Sequence, residues 1–123
     1  MAATHYGLLF LKSMLVTQAV EVPVAWYLLS KLKVRLGVPT SSSRIVAATV
    51  IGNLTTLPWL WFVYPELMTY GHSVFLGEIT AVGVEALIYH LIVGTGYKSS
   101  LLVSVVANAA SALAGLLVLP PWG

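Results

Sequence analysis

Three of the four acidic residues in this 123-residue chain fall inside long apolar runs. Glu21, Glu78 and Glu85 are surrounded by Val, Ala, Leu and Ile, whereas Glu66 follows Pro65 between two such runs. A charged side chain at the centre of a membrane helix costs about 2.5–3.5 kcal/mol on insertion scales. A carboxyl group in that position needs hydrogen-bonding partners, and it is a candidate for binding a cation or exchanging protons.

The composition indicates an integral membrane protein. Hydrophobic residues make up 59% of the chain and charged residues 8%, whereas soluble domains average about 25% charged residues. There is no cysteine, which excludes disulfides and thiolate metal sites. The net charge of +2 is too small to indicate a nucleic-acid partner. The apolar composition makes the lipid bilayer the expected partner.

Four apolar segments are long enough to cross about 30 Å of hydrocarbon at 1.5 Å per residue. We predict spans 1 to 4 at residues 7–30, 44–64, 73–93 and 99–119. The predicted fold is all-α: one polytopic membrane domain over residues 1–123, built as a four-transmembrane-helix bundle. Ser41 to Ser43 offer N-caps for span 2, Pro65-Glu66 is predicted to close it, and residues 94–98 form a tight turn.

The basic residues predict an orientation. The loop between spans 1 and 2 holds Lys31, Lys33, Arg35 and Arg44, and the loop between spans 3 and 4 holds Lys98. The positive-inside rule places loops 31–44 and 94–98 in the cytoplasm and both termini outside, in the cell inner or plasma membrane.

Each span carries a strongly polar side chain near its middle. These are Glu21, Asn53, Glu85 and Asn108 in spans 1 to 4. Helical spacing places further polar residues on the same faces. The predicted cation- or proton-binding residues are Glu21, Glu85, Glu78, Asn53 and Asn108, with Gln18, Thr56, Ser111 and Tyr89 in support.

The type of ligand is open between a proton and a cation. Pro23 and Pro58 lack an N–H, so each leaves a carbonyl free near the same depth. Carboxylate, amide and carbonyl oxygens suit a monovalent or a hard divalent cation, and two close carboxyls can instead share a proton. No cofactor is predicted and no metal is assigned. The alternative is that the Asn, Ser and Thr side chains only join helices, at about 0.6 kcal/mol each.

The two halves of the chain share short patterns. Residues 19–22 with Tyr27 match residues 81–84 with Tyr89, and residues 50–53 match residues 105–108. Spans 1 and 3 point the same way, so these matches predict two parallel repeats of a helical hairpin.

No nucleophile, zinc-binding or phosphate-binding motif occurs, so we predict that the protein is not an enzyme. Length and span number are similar to those of small multidrug transporters and small fluoride channels, an analogy of layout in which Glu21 matches the multidrug group's key glutamate in type and location. The expected function is a subunit of an oligomeric transporter or channel. The alternative is an accessory or assembly subunit of a larger membrane complex, whose polar layer is structural. Four short helices enclose little water, so a homo-oligomer or a membrane partner is expected.

Overall fold

The computed structural model describes residues 2–118, and the side chains of residues 5–117 other than 70 and 74. All elements in this range are helical. They are α1 (Ala2–Leu36), α2 (Ser42–Pro58), a π-helical turn (Trp59–Val63), α3 (Tyr64–Leu67), α4 (Tyr70–Ile92) and α5 (Tyr97–Val118). The last residue of predicted span 4, residue 119, lies outside the described range.

Four helical segments of this range are long and apolar enough to cross a membrane. They cover His5–Leu36, Ser42–Leu67, Gly71–Ile92 and Tyr97–Leu117. The fold is therefore the all-α four-helix bundle expected from the apolar runs. Large apolar side chains cover its outside: Leu15 is 70% exposed and Leu117 is 87% exposed. An apolar exterior around a polar interior suits a protein surrounded by lipid.

Helix α1 continues past its predicted end at residue 30 to Leu36. Its last turn carries Lys33 and Arg35, and basic side chains there interact favourably with the negative end of the helix dipole. Gly37 has φ 67°, and the N–H of Val38 donates to the Lys33 carbonyl at 2.8 Å. This is a Schellman motif, in which the glycine adopts the left-handed conformation that ends a helix.

The sequence predicted that the second membrane-length helix closes at Pro65-Glu66. In the structure this helix runs on through the π-helical turn and past Pro65 to Leu67. Pro65 has no N–H to donate to the carbonyl of Trp61, four residues earlier. The Tyr6 hydroxyl from α1 donates to that carbonyl instead. The Tyr6 and Trp61 rings also pack with centroids 5.2 Å apart, and Phe10 packs on Phe62 at 4.8 Å. Contacts with α1 thus stabilise a helix that continues through a proline.

The other end of this helix is capped as predicted. The Ser41 hydroxyl accepts a hydrogen bond from the backbone N–H of Arg44 at 3.2 Å. The turn between α4 and α5 contains Gly94 and Gly96, both with φ near +85° (84° and 86°). Both hairpin turns are therefore short.

The membrane-length helices form a ring. Helix α1 packs against α2 and α5, and α4 packs against the same two helices. Helices α1 and α4 therefore face each other across the centre of the bundle. Side chains that point inward from these two helices meet on the bundle axis.

The interior differs between the two ends. We call the half nearer the loops 37–41 and 93–96 the hairpin half, and the half nearer Ala2, Val118 and the 68–69 connection the terminal half. An apolar cluster fills the hairpin half: Ala25, Leu29, Ile45, Ala48, Tyr89, Val93 and Val103. The candidate site lies where this cluster ends.

Candidate functional site

The bundle brings together the four polar residues predicted from the middles of the spans. Glu21, Asn53 and Glu85 are each 1% exposed, and Asn108 is 7% exposed. They come from α1, α2, α4 and α5, so each membrane-length helix contributes one residue. The predicted layer therefore exists as a buried cluster within one chain.

Glu21 and Glu85 lie at the centre of this layer. Their carboxyl groups come together across the axis of the bundle, because one amide group of Asn53 lies 2.9 Å from Glu21 Oε1 and 3.2 Å from Glu85 Oε1. Two carboxyl groups this close can bond to each other only when one of them carries a proton, because an ionised carboxylate has no donor. Gly52 of α2 makes room for this pair. A Cβ atom at Gly52 would lie 2.9 Å from Glu85 Cγ.

Asn53 bridges the two carboxyl groups. Its hydrogen-bonding partners determine the orientation of the amide: with the nitrogen facing the acids, it donates to Glu21 Oε1 at 2.9 Å and to Glu85 Oε1 at 3.2 Å. The other end of the Asn53 amide lies 2.9 Å from Gln18 Oε1. Turning the Gln18 amide in the same way makes it the donor to Asn53. One amide therefore holds both acids, and a second amide orients it.

Helix α5 supplies the remaining partners. The Ser111 hydroxyl donates to Glu21 Oε2 at 2.6 Å. Asn108 lines the cavity together with Glu85, and its nitrogen donates to the Ser104 carbonyl oxygen at 2.8 Å. The Ser104 hydroxyl donates to the Val82 carbonyl of α4 at 2.9 Å and so joins α5 to α4 at this depth.

A cavity of about 120 Å³ adjoins the layer on its terminal side. It extends from the carboxyl pair as far as Ser13, which is eight residues from Glu21, or roughly 12 Å along α1. The lining residues come from all four membrane-length helices: Ser13, Val16, Thr17, Glu21, Asn53, Thr56, Leu57, Leu60, Trp61, Glu78, Ala81, Glu85, Asn108, Ser111, Ala112 and Gly115. The carboxyl pair thus lies where the cavity meets the apolar cluster.

The other predicted site residues lie around this centre. Glu78 is half-buried and lines the cavity nearer the terminal end than the carboxyl pair. The Thr56 hydroxyl also lines the cavity, but it donates to the Gly52 carbonyl of its own helix at 3.0 Å. Tyr89 belongs to the apolar cluster, where its hydroxyl donates to Thr49 Oγ1 at 3.4 Å. Tyr89 therefore lies beyond the cavity on the hairpin side.

Sequence reasoning missed Ser13 and Gly52. Ser13 lies on the face of α1 that also carries Thr17 and Glu21, and this spacing of four residues was the signal that could have identified it. Ser13 and Thr17 are both buried and line the cavity. Gly52 gave no signal, because its role depends on which helix packs against it.

The two predicted proline-freed carbonyls belong to residues on the outer face of the bundle. Ala19 and Leu54 have exposed side chains, and Pro23 is exposed as well. Neither Ala19 nor Leu54 lines the cavity. Across the described residues, no three His, Cys, Asp or Glu side chains lie close enough together to hold a metal ion.

Burial along the helices bears on the predicted repeat. The pattern matched Tyr27 with Tyr89, but Tyr27 is 57% exposed and Tyr89 is fully buried. Glu21 and Glu85 are both buried, and so are Ala25 and Tyr89, each four residues further along. Burial therefore pairs Ala25 of α1 with Tyr89 of α4, two residues away from the pairing of Tyr27 with Tyr89 in the sequence match.

The match between α2 and α5 agrees with burial. Asn53 and Asn108 are buried, and so are Thr49 and Ser104, each four residues earlier. These correspondences describe equivalent places in the ring.

Chemically, the site can hold and release a proton or interact with a small cation. It has two carboxyl groups in contact, neutral hydrogen-bond donors around them, and a polar cavity on one side. Comparison of the chain with protein-family models, with curated proteins and with solved structures finds no match.

Proposed function

We propose that the protein is a subunit of a small membrane transporter or channel, in which Glu21 and Glu85 bind a cation or exchange protons. The observation that carries this proposal is the position of the carboxyl pair at the inner limit of a one-sided polar cavity. Buried carboxyl groups are costly inside a membrane, and those that occur there commonly mark ion or proton pathways. The supporting residues are Asn53, Asn108 and Ser111, together with Glu78 in the cavity.

The apolar cluster of the hairpin half favours transport by alternating access rather than through a continuous pore. Leu29, Ile45 and Tyr89 are fully buried on the hairpin side of the pair. A solute that reaches the pair from the terminal side would leave by the hairpin side only after the helices rearrange. Rocking of helical repeats around a fixed central site is a common way to achieve this.

We further propose that the working form is a homo-oligomer or a complex with another membrane protein. The cavity of about 120 Å³ is small beside the roughly 300–1,000 Å³ of drug-sized ligand sites. A single bundle of this kind can surround an ion and a few water molecules. A larger solute would need a pathway formed between copies or partners. With the positive-inside rule, the hairpin half faces the cytoplasm and both termini lie outside.

Flux measurements test the proposal. The purified protein is placed in liposomes that contain a pH-sensitive or cation-sensitive dye, and a proton or cation gradient is imposed. Wild-type protein is expected to dissipate one of these gradients faster than empty liposomes do. The Glu85→Gln variant is expected to lose this flux, because an amide of similar shape cannot release a proton or carry a negative charge.

The matched control is Glu66→Gln, which removes the exposed glutamate of α3 and leaves the cavity unchanged, because Glu66 does not line it. It is expected to retain wild-type flux. Wild-type flux in folded Glu85→Gln protein would refute the proposed role of the pair.

A second candidate function is an accessory or assembly subunit. It is favoured by the dense bonding of the layer, in which Asn53 alone bridges two acids and Ser111 joins α5 to α1. Such a layer can serve to hold four helices together. In that case purified protein moves no ion in liposomes, and Glu85→Gln changes the oligomeric state or the retention of a co-purifying partner, as measured by light scattering and pull-down in detergent.

A further inference from the structure

The cavity contains hydroxyl groups that lack protein partners. Ser13 and Thr17 are 9% and 8% exposed and line the cavity. Within the described part of the chain, neither hydroxyl forms a hydrogen bond to another residue. Buried polar groups are normally hydrogen-bonded, and a polar cavity of this size has room for several water molecules. The cavity therefore has both the room and the polar groups to bind water at Ser13 and Thr17.

The groups that face the carboxyl pair are mainly donors. The Asn53 nitrogen points at one oxygen of each acid, and the Ser111 hydroxyl points at the second oxygen of Glu21. Sodium or calcium would require oxygen atoms turned toward the ion, commonly six or more for calcium. Here N–H and O–H groups occupy the carboxyl oxygens that such an ion would need. The arrangement is instead suited to two carboxyl groups with one proton between them.

We propose that the cavity is a one-sided proton well, in which water bound by Ser13, Thr17 and Glu78 connects the terminal side of the bundle to one proton shared by Glu21 and Glu85. This inference rests on the proposed function for the role of the pair. It goes further by naming the species and the side from which it arrives. Two adjacent carboxyl groups in such a site titrate as a unit rather than as separate residues.

The exchange step is a proton transfer between the pair and the adjacent water. The carboxyl O–H bond breaks, its electron pair stays on the carboxylate, and the proton joins a water molecule to form hydronium. Hydronium returns the proton by the reverse step. The other titratable groups near the pair are Glu78 and Tyr89, both on α4. The lining residues of α2 and α5 are amide, hydroxyl and apolar side chains, so they neither supply nor remove protons.

The hairpin half prevents exchange on the other side. Ala25 and Tyr89 are fully buried four residues beyond Glu21 and Glu85, and Leu29 is buried four residues further. The Tyr89 hydroxyl is engaged with Thr49. The described interior thus contains a polar cavity on the terminal side of the pair and an apolar cluster on its hairpin side.

Infrared spectroscopy of the purified full-length chain in lipid tests this inference without any transported solute. Carbon-13 labelling of glutamate, of which the chain has four, identifies the carbonyl band of a protonated carboxyl group. The expected result at neutral pH is one such band, which shifts in heavy water because cavity water exchanges the proton. Absence of the band, or a band that does not shift in heavy water, overturns the proposal.

Added cations provide the second arm. Saturating sodium, magnesium or calcium chloride at constant pH is expected to leave the band unchanged. Loss of the band on addition of one of these salts would show that a metal cation displaces the proton, and would overturn the assignment.

Variants locate the proton. The double variant E21Q/E85Q is expected to lose the band, whereas E66Q is expected to keep it. A band that persists in the double variant places the proton elsewhere and contradicts the proposal. If the double variant fails to fold, the heavy-water and cation arms on the wild-type chain still decide.

The outcome separates this inference from the proposed function. An intact, exchangeable band in a protein that moves no proton or cation in liposomes refutes transport and leaves the proton site. Wild-type flux without the band leaves transport and refutes the shared proton.

Discussion

The two halves of this bundle are built from the same four membrane-length helices, but one contains a cavity beside the acids and the other an apolar cluster. In the terminal half, Ser13, Thr17 and Glu78 surround a polar cavity. In the hairpin half, Leu29, Ile45 and their neighbours form an apolar cluster, beside buried hydroxyl groups such as those of Thr49 and Ser100. The boundary is one helical turn thick: Glu21 is followed by Ala25 on α1, and Glu85 by Tyr89 on α4.

This difference shows how a small membrane bundle can accommodate buried acids. Packing in the hairpin half holds the four helices at fixed distances, since helix association in lipid depends on close contact and interhelical hydrogen bonds. The terminal half can then leave space between the same helices. Its acids are stabilised by Asn53 and by Ser111, and they add to stability only through such partners.

The largest expected difference between the halves is in chemical accessibility. The chain has no cysteine, so a single introduced cysteine is the only thiol. Thr17→Cys and Ala25→Cys lie on the same face of α1, in the terminal and hairpin halves respectively. A small neutral thiol reagent is expected to modify the first variant and not the second, because only the first faces the cavity.

The measurement is the rate of modification by mass spectrometry, with unfolded Ala25→Cys protein as the control for reactivity. Equal rates in the two folded variants would show that the hairpin half is not sealed.

The next effect is on packing. Leu29→Ala is expected to lower the free energy of unfolding by about 2 kcal/mol. Moving a leucine side chain from lipid to the protein interior changes its free energy little, because both are apolar. The cost of Leu29→Ala therefore comes mainly from the cavity that the substitution leaves. Thr17→Ala, on the same helix, removes a side chain that already faces a cavity and is expected to change stability by less than about 0.5 kcal/mol. Thermal unfolding in detergent measures both, and a larger loss for Thr17→Ala would reverse the assignment of the two halves.

A smaller effect is expected at the boundary between the halves. Gly52→Ala places a Cβ atom 2.9 Å from Glu85 Cγ and must displace that carboxyl group. The expected cost is about 1 kcal/mol, at the low end of the range for overpacking, together with separation of the Glu85 carboxyl group from Glu21. Gly7→Ala is the matched control, because a Cβ atom there has no neighbour within 4 Å. Unchanged stability and an unchanged carboxyl infrared spectrum in Gly52→Ala would show that Glu85 is not confined by α2.

The smallest expected effect is at Tyr89. Tyr89→Phe removes a hydroxyl whose bond to Thr49 is long, at 3.4 Å, and keeps the ring that fills the hairpin half. Stability is expected to fall by about 0.5 kcal/mol, near the lower limit for one hydrogen bond. In the double variant that combines Tyr89→Phe with Ala25→Cys, thiol labelling of the introduced cysteine is expected to remain absent. Labelling in that double variant would assign the seal to the hydroxyl rather than to the ring.

The sequence predicted the number of spans, the helix faces and the depth of the polar layer. Periodicity and composition determine these, and Glu21, Asn53, Glu85 and Asn108 are all buried as expected. Periodicity tells which face of a helix is polar but not which helix lies opposite. The contact between Glu21 and Glu85 requires α1 and α4 to be diagonal in the ring, and this order comes from tertiary packing.

Other features depend on single partners and were not predicted. The helix passes Pro65 because Tyr6, nearly sixty residues away, donates to the Trp61 carbonyl. Burial in α1 and α4 corresponds two residues away from the sequence match, because a short match in an apolar run carries little information about register. Burial at Glu21 and Glu85 depends on neighbouring helices, and so does the role of Gly52.

The length of α1 has a consequence for the placement of the whole molecule. Its 35 residues extend for roughly 52 Å, whereas a bilayer with its headgroup regions is about 40–45 Å thick. In a bilayer, some of this helix would therefore project beyond the lipid or tilt, and Lys33 and Arg35 of its last turn are suited to the headgroup region. These cations would then fix the depth of the helix. Adding or removing one helical turn before them would move the acids by about 5.4 Å relative to the lipid headgroups.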